Sequence, residues 1–141
     1  VRCNCGKSGC LEQYASATGI VREANRLLKA SDAPSALREV EKVTAKDVFD
    51  YAKQGDAMAK DVVAFFGETL GRALAIVSCV CDPEVFVIGG GVSAAGQVIL
   101  DVVAESFVRN AFPASEGTRF TLAKLGNDAG VYGAARLILG A

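Results

Sequence analysis

With 141 residues the chain has the length of one domain, and a hydrophobic content of 51% is enough for a sizeable core. A net charge of −1, with acidic and basic residues interspersed, offers no basic face for nucleic acid. The purest apolar run, residues 73–81, is closed by Arg72 and Asp82 and does not read as a membrane span, and no secretory signal peptide is read at the start, so reduced cysteines, a cytoplasmic setting and no membrane partner are expected.

The first twelve residues hold three of the five cysteines, Cys3, Cys5 and Cys10, in a C-x-C-x4-C spacing with Gly6 and Gly9 between the last two. Glycine lets a short loop turn back on itself, so that three thiolates can converge. Zinc takes four soft or borderline ligands in a tetrahedron, and a loop of this kind supplies three. The chain has no histidine for the fourth. A disulfide would need an oxidising compartment and would leave one of the three unpaired, and the C-x-x-C of a redox pair is absent. The spacing therefore points to a structural zinc loop. Cys79 and Cys81 lie in an apolar run and are expected in the core, where free cysteine packs as a small hydrophobe. The chain opens on Val1, two residues ahead of the loop, as expected of a fragment, a processed chain or an isolated domain.

Residues 11–16 are expected to form a short helix, punctuated by Thr18-Gly19, and residues 20–30 a second one with Ile20, Val21, Ala24, Leu27 and Leu28 on one face. Residues 31–43 are polar, contain Pro34 and read as a surface connection with a helical turn near 35–41. Thr44 followed by Asp47 is a capping box that opens a helix to about Gln54, and Gly55-Asp56 ends it and caps the next. Residues 56–81 carry one apolar stripe, with Gly67 and Gly71 inside it. A glycine costs a helix about 1 kcal/mol, and the usual compensation is close approach of a neighbouring backbone. From Ala73 the helix is apolar all round, which predicts burial on every side.

Asp82-Pro83 breaks this helix. Residues 84–88 (EVFVI) read as a buried strand, followed at once by Gly89, Gly90 and Gly91. A helix over 92–110, a turn over 113–118, a strand over 119–125, a turn at Gly126-Asn127-Asp128 and a last helix over 129–139 complete the chain. A strand, a helix and a second strand make a βαβ unit, so the two strands are expected to be parallel. Two strands are few for a sheet of this type, and further strands are expected from outside this sequence.

Three places carry candidate chemistry. Glycines beyond the carboxyl end of a strand let backbone N–H groups approach a phosphate or nucleotide, and the next helix offers its positive end; the same triplet also suits a tight turn with no ligand. Glu12 follows the cysteine loop by two residues, and a rigid loop is a good platform for aiming a carboxylate at two hydroxyls of a polyol; it also suits a solvated helix start. Asn127 or Asp128 is expected to cap the last helix. Among these residues there is no Ser-His pair and no catalytic dyad.

Taken together, CNCGKSGCLE (Cys3 to Glu12), YASATGIVREA (Tyr14 to Ala24), DPEVFVIGGGVSAAG (Asp82 to Gly96) and AKLGNDAGVYGAA (Ala123 to Ala135) resemble the C-terminal half of the ROK family of bacterial sugar kinases and sugar-responsive repressors. The match runs over almost the whole chain and is nearest to ROK glucokinases. It implies an α/β fold, the C-terminal lobe of an actin-like, ribonuclease-H-like two-lobed kinase. Residues 1–12 would be a zinc loop, 13–81 a helical region and 82–141 a βαβα unit. By the same resemblance Cys3, Cys5 and Cys10 hold a structural zinc, with a histidine from further upstream as the fourth ligand. Glu12 holds sugar hydroxyls, and Gly89, Gly90 and Gly91 sit beside ATP, which is used with magnesium. Glucose or a related hexose (fructose, N-acetylmannosamine) would be the substrate, and the intact protein a dimer in the cytoplasm. The N-terminal lobe with its phosphate loops and catalytic Asp is not in this sequence, so the chain alone is expected to be inactive. A ROK repressor remains the alternative.

Overall fold

The computed structural model describes residues 1–140. Five α-helices and two short strands follow one another: α1 (Ala17–Ala30), α2 (Ala45–Lys53), α3 (Ala57–Cys81), β1 (Val85–Ile88), α4 (Gln97–Asn110), β2 (Arg119–Leu122) and α5 (Ala129–Leu139), with 3-10 turns between several of them. The fold is mostly helical with a small parallel sheet, as the sequence pattern implies.

The helix starts explain themselves locally. Thr44 and Asp47 form the expected capping box at α2. Asp56 caps α3 by accepting from the Ala59 N–H at 2.8 Å. The same carboxylate accepts from the Ala36 N–H at 2.7 Å and the Ser35 hydroxyl at 3.0 Å, so it also ties down the 31–43 connection. Burial works against its charge, yet these donors outweigh it and hold the Asp56 carboxyl below the usual range. The connection is less superficial than its polar composition suggests, because Leu37 and Val43 are buried from it.

At α1 the structure corrects the sequence reading. The helix begins at Ala17, three residues early, with the Ser16 hydroxyl accepting from the Gly19 N–H. Thr18-Gly19 is therefore not punctuation but the first turn. Gly19 is there because a Cβ at that position would lie 2.5 Å from the Tyr14 carbonyl oxygen. The expected helix over 11–16 is only a 3-10 turn, Leu11–Gln13.

Helix α3 is the spine. Ala59, Val62, Val63 and Phe66 pack on Ile20 and Ala24 of α1, Val48 and Phe49 of α2, and Ile99 and Val103 of α4. Phe49 and Phe66 meet edge to face at 6.1 Å. Gly67 and Gly71 mark the crossing with α4, as their spacing predicts. A Cβ on Gly67 would come within 2.8 Å of Val102, and one on Gly71 within 2.6 Å of Ser106.

By length and composition α3 could cross a membrane, which a reading of residues 73–81 alone does not register. Its packing is that of a core helix: the face through Gly67, Gly71, Ala75 and Ser78 is buried. The far end is not buried on every side, contrary to expectation. Ile76 and Val80 are 70% and 82% exposed, and Cys79 and Cys81 are surface residues rather than core. The reason is geometric: at this end of α3 the face through Ala75 and Ser78 is buried, whereas Ile76, Val77 and Val80 on the other side are left exposed among the described residues.

The strands pair in parallel, Val85 opposite Arg119 through Ile88 opposite Leu122. One sheet face rests on α4, where Phe86, Phe107 and Phe120 form an aromatic cluster with ring centres 5.2–5.8 Å apart. The other face leaves Val87 exposed. The second strand ends at Leu122, short of the expected 125, and α5 has no buried residue. Asp128 precedes α5 without a side-chain cap bond, so the expected cap is not made by it; the Asn127 side chain lies outside the described residues.

Candidate functional site

The N-terminal loop is a small hairpin. Arg2 and Ser8 form an antiparallel bridge, the Cys3 N–H donates to the Lys7 carbonyl at 2.8 Å and the Gly6 N–H to the Cys3 carbonyl at 3.0 Å. Gly6 and Gly9 take φ of 88° and 79°, left-handed values that a residue with a Cβ rarely adopts. The result brings the sulfurs of Cys3, Cys5 and Cys10 within 4.8 Å of one another. Cys5 and Cys10 are 3.6 Å apart, too far for a disulfide. With zinc–sulfur bonds of about 2.3 Å, two sulfurs of a tetrahedron are about 3.8 Å apart. The donor set thus fits three corners of a zinc site. Among the described residues no fourth Cys, Asp or Glu joins it.

The sulfurs also share protons unequally. The Cys5 backbone N–H and thiol hold Cys3 below the ordinary thiol value. The sulfurs of Cys5 and Cys3 push the Cys10 thiol up to about 11. A cation at the centre would take the place of the retained proton. Metal analysis of protein purified without chelator is expected to find close to one zinc per chain, lost together with the thiol protection of these three cysteines on chelation. A metal-free protein with three freely titrating thiols would remove the zinc loop.

Glu12 lies in the 3-10 turn that leaves Cys10 directly, the Gln13 N–H donating to the Cys10 carbonyl at 2.9 Å. It is exposed, and the turn that carries it meets α1 and α3. The glycine turn lies at the carboxyl edge of the sheet. Gly90 takes φ 78°, and a Cβ on Gly89 would press the Ala123 Cβ at 3.2 Å, so both sites require or favour glycine. The turn beginning at Gly126 touches the segment after Gly91, and so shares this edge, as the strand order implies.

The helix expected at 92 does not start there. Residues Gly91–Ala95 form a 3-10 turn, Gly96 breaks it at φ 77°, and α4 begins at Gln97. The glycines therefore offer backbone but not the immediate positive end of a long helix. Sequence reasoning also missed what stands opposite. A cavity of about 140 Å³ separates this turn from α2, lined by Phe49, Lys46, Asp50, Gly91, Val92 and Ala95. Lys53 of α2 ties the helix to this turn by donating to the Ala95 carbonyl at 3.0 Å. The capping box placed α2 correctly, but no local pattern says that α2 faces the glycine turn.

A cysteine loop followed by a carboxylate is joined through a helical core to a glycine turn on a parallel sheet, in one α/β lobe. The chain belongs to the ROK family, whose profile matches residues 1–141. It is 44% identical to a glucokinase of Halalkalibacterium halodurans over 96% of this chain and 42% of that protein. It is 33% identical to the DNA-binding transcriptional repressor Mlc of Escherichia coli over 80% of this chain and 27% of that protein. Among solved structures, a ROK family glucokinase from Streptomyces griseus, in complex with glucose and AMPPNP, superposes with a TM-score of 0.87 at 34% identity, over 97% of this chain and 46% of that one. The chain spans less than half the length of the curated relatives it matches.

Proposed function

We propose that this chain is the C-terminal portion of an ATP-dependent ROK hexokinase that transfers the γ-phosphate of ATP to the 6-hydroxyl of glucose. The observation that carries the reading is the cysteine loop, three sulfurs within 4.8 Å with Glu12 in the turn that follows them. Zinc, when bound, supplies rigidity to that loop. Glu12 then accepts hydrogen bonds from sugar hydroxyls. Gly89, Gly90 and Gly91 take the nucleotide at the sheet edge, with the cavity walled by Phe49, Val92 and Ala95 as an apolar slot for its base. In phosphoryl transfer the sugar hydroxyl loses its proton to a base and its oxygen attacks the γ-phosphorus as ADP leaves, so positioning and charge neutralisation do most of the work. The base and the phosphate loops belong, in this reading, to a preceding lobe, and magnesium arrives with ATP. The intact protein is a cytoplasmic dimer. Glucose is favoured over fructose or N-acetylmannosamine by the 44% identity to a glucokinase.

The test compares the chain alone with the full-length protein that carries it, in a coupled assay with millimolar ATP, magnesium and each hexose. The full-length protein is expected to prefer glucose, and the chain alone to show no turnover above blank. Turnover by the chain alone that survives repurification would overturn the division of labour. A second reading, a sugar-responsive repressor, is favoured by the similarity to the Escherichia coli repressor. A basic helix-turn-helix upstream and sugar-dependent DNA binding without phosphorylation would select it; a glycine-rich phosphate loop upstream would select the kinase.

A further inference from the structure

The metal loop holds only one side of Glu12. Cys10 lies two residues before it, and the three-residue turn Leu11–Gln13 that contains it ends at Tyr14, before α1 begins at Ala17. The turn is bonded internally, Tyr14 N–H to the Leu11 carbonyl at 2.9 Å and Ala15 N–H to the same carbonyl at 2.8 Å. The Gln13 carbonyl sits at the open end. It accepts a hydrogen bond of 2.6 Å from Nη1 of Arg22, in a partly buried setting. The neighbouring acid, Glu23, is engaged by Arg26, which donates to both of its oxygens. Arg22 is left to direct its charge at the carbonyl of Gln13, the residue after Glu12, where a cation favours a carbonyl at the end of a helical turn.

Arg22 acts from the same side of α1 as Gly19, since residues three apart share a helix face. At Gly19 the helix touches the Tyr14 backbone so closely that a Cβ would stand 2.5 Å from its oxygen and 2.6 Å from its carbonyl carbon. Ser16 locks the start of that helix through its bond to the Gly19 N–H at 3.1 Å. The turn bearing Glu12 is thus seated on the bare backbone of α1 and clamped by a guanidinium.

We infer that Arg22, with Gly19 as its seat, is a positioning residue for Glu12: the cysteine loop fixes the turn from the front and Arg22 fixes it from behind, so that the carboxylate is aimed before sugar arrives. Preorganisation of this kind removes an ordering cost from binding. The inference rests on Glu12 as the sugar ligand.

The experiment uses the full-length protein that carries this chain. Arg22→Met keeps the apolar stem and removes the donors, whereas Arg22→Lys keeps the charge. Sugar affinity is read by calorimetry and as KM, beside KM for ATP, zinc content and thermal stability. Arg22→Met is expected to weaken sugar about fivefold, on the scale of a charge-assisted bond acting at one remove. KM for ATP and zinc content should hold, and Arg22→Lys should recover most of the loss. The double variant Arg22→Met with Glu12→Gln should be no worse than Glu12→Gln alone, because Arg22 works only through Glu12.

Wild-type sugar affinity in Arg22→Met, beside a damaged Glu12→Gln, overturns the inference and leaves the sugar site standing. Full additivity in the double variant, or sugar and ATP weakened together, makes Arg22 a general structural residue and overturns it too. Wild-type affinity in Glu12→Gln would instead sink the sugar site itself. If Arg22→Met does not fold, Gly19→Ala decides on the same readouts: sugar weakened selectively supports the clamp, and no change removes it.

Discussion

Replacing Glu12 with glutamine in the full-length protein is expected to raise KM for the sugar roughly tenfold or more, the scale of a single charge-assisted hydrogen bond at 1.4 kcal/mol per decade, and to leave KM for ATP unchanged. The variant keeps the shape of the side chain and removes its charge. The split between substrates follows from placement: Glu12 leaves the cysteine loop directly, where α1 and α3 meet, whereas the glycine turn lies on the sheet edge opposite α2. Cys5→Ala should weaken sugar in the same direction and also lower thermal stability, because it takes one of three sulfurs from the loop on which Glu12 depends. Steady-state kinetics at saturating ATP and then at saturating sugar separate the two effects. A Glu12→Gln enzyme with wild-type sugar KM would reduce Glu12 to a charge at the start of a turn.

How far the molecule can be read from its sequence depends on whether the information is local. Thr44 with Asp47, and Asp56 after Gly55, announce helix starts because a cap is satisfied within one turn, and both appear where expected. The cysteine spacing is local as well, and the three sulfurs do converge. Gly67 and Gly71 could be read as a crossing, though not with which helix. The misses share the opposite character. Gly19 looks like a helix breaker until the Tyr14 backbone is seen against it. The helix expected from residue 92 is cut by Gly96, whose left-handed backbone the apolar periodicity does not reveal. Cys79, Cys81 and Val80 read as core because the segment is apolar, but burial depends on what packs there, and among the described residues nothing does. The cavity between Phe49 and Val92 joins segments more than forty positions apart, as does the bond from Lys53 to Ala95. Arg22 belongs to the same group: its partner, the Gln13 carbonyl, is a backbone atom that leaves no mark in the side-chain sequence.

Gly71→Ala is the second large effect, and its sign is a contest. Alanine improves helix propensity over glycine by about 1 kcal/mol. Against that, its Cβ would lie 2.6 Å from the Ser106 Cβ, 2.7 Å from the Ser106 hydroxyl oxygen and 2.7 Å from the Val103 carbonyl oxygen. Two of these three are fixed to the α4 backbone and cannot swing aside. Either α4 moves off or the contact stays compressed, and overpacking of this kind costs about 1–3 kcal/mol and sometimes more. Steric loss is therefore expected to win, with a net destabilisation of roughly 1–2 kcal/mol for alanine and a larger one for Gly71→Val, whose branched side chain adds bulk at the same crossing and has low helix propensity. Moving α4 has consequences beyond stability. Phe107, fully buried, holds Phe86 and Phe120 of the two strands from that helix, and β1 runs directly into Gly89. A variant that remains folded should thus lose nucleotide affinity before sugar affinity, the reverse of Glu12→Gln. Denaturant midpoints for the Gly, Ala and Val series, with KM for both substrates, test both halves. A rise in midpoint for Gly71→Ala would mean that α4 yields at little cost and that propensity decides this crossing.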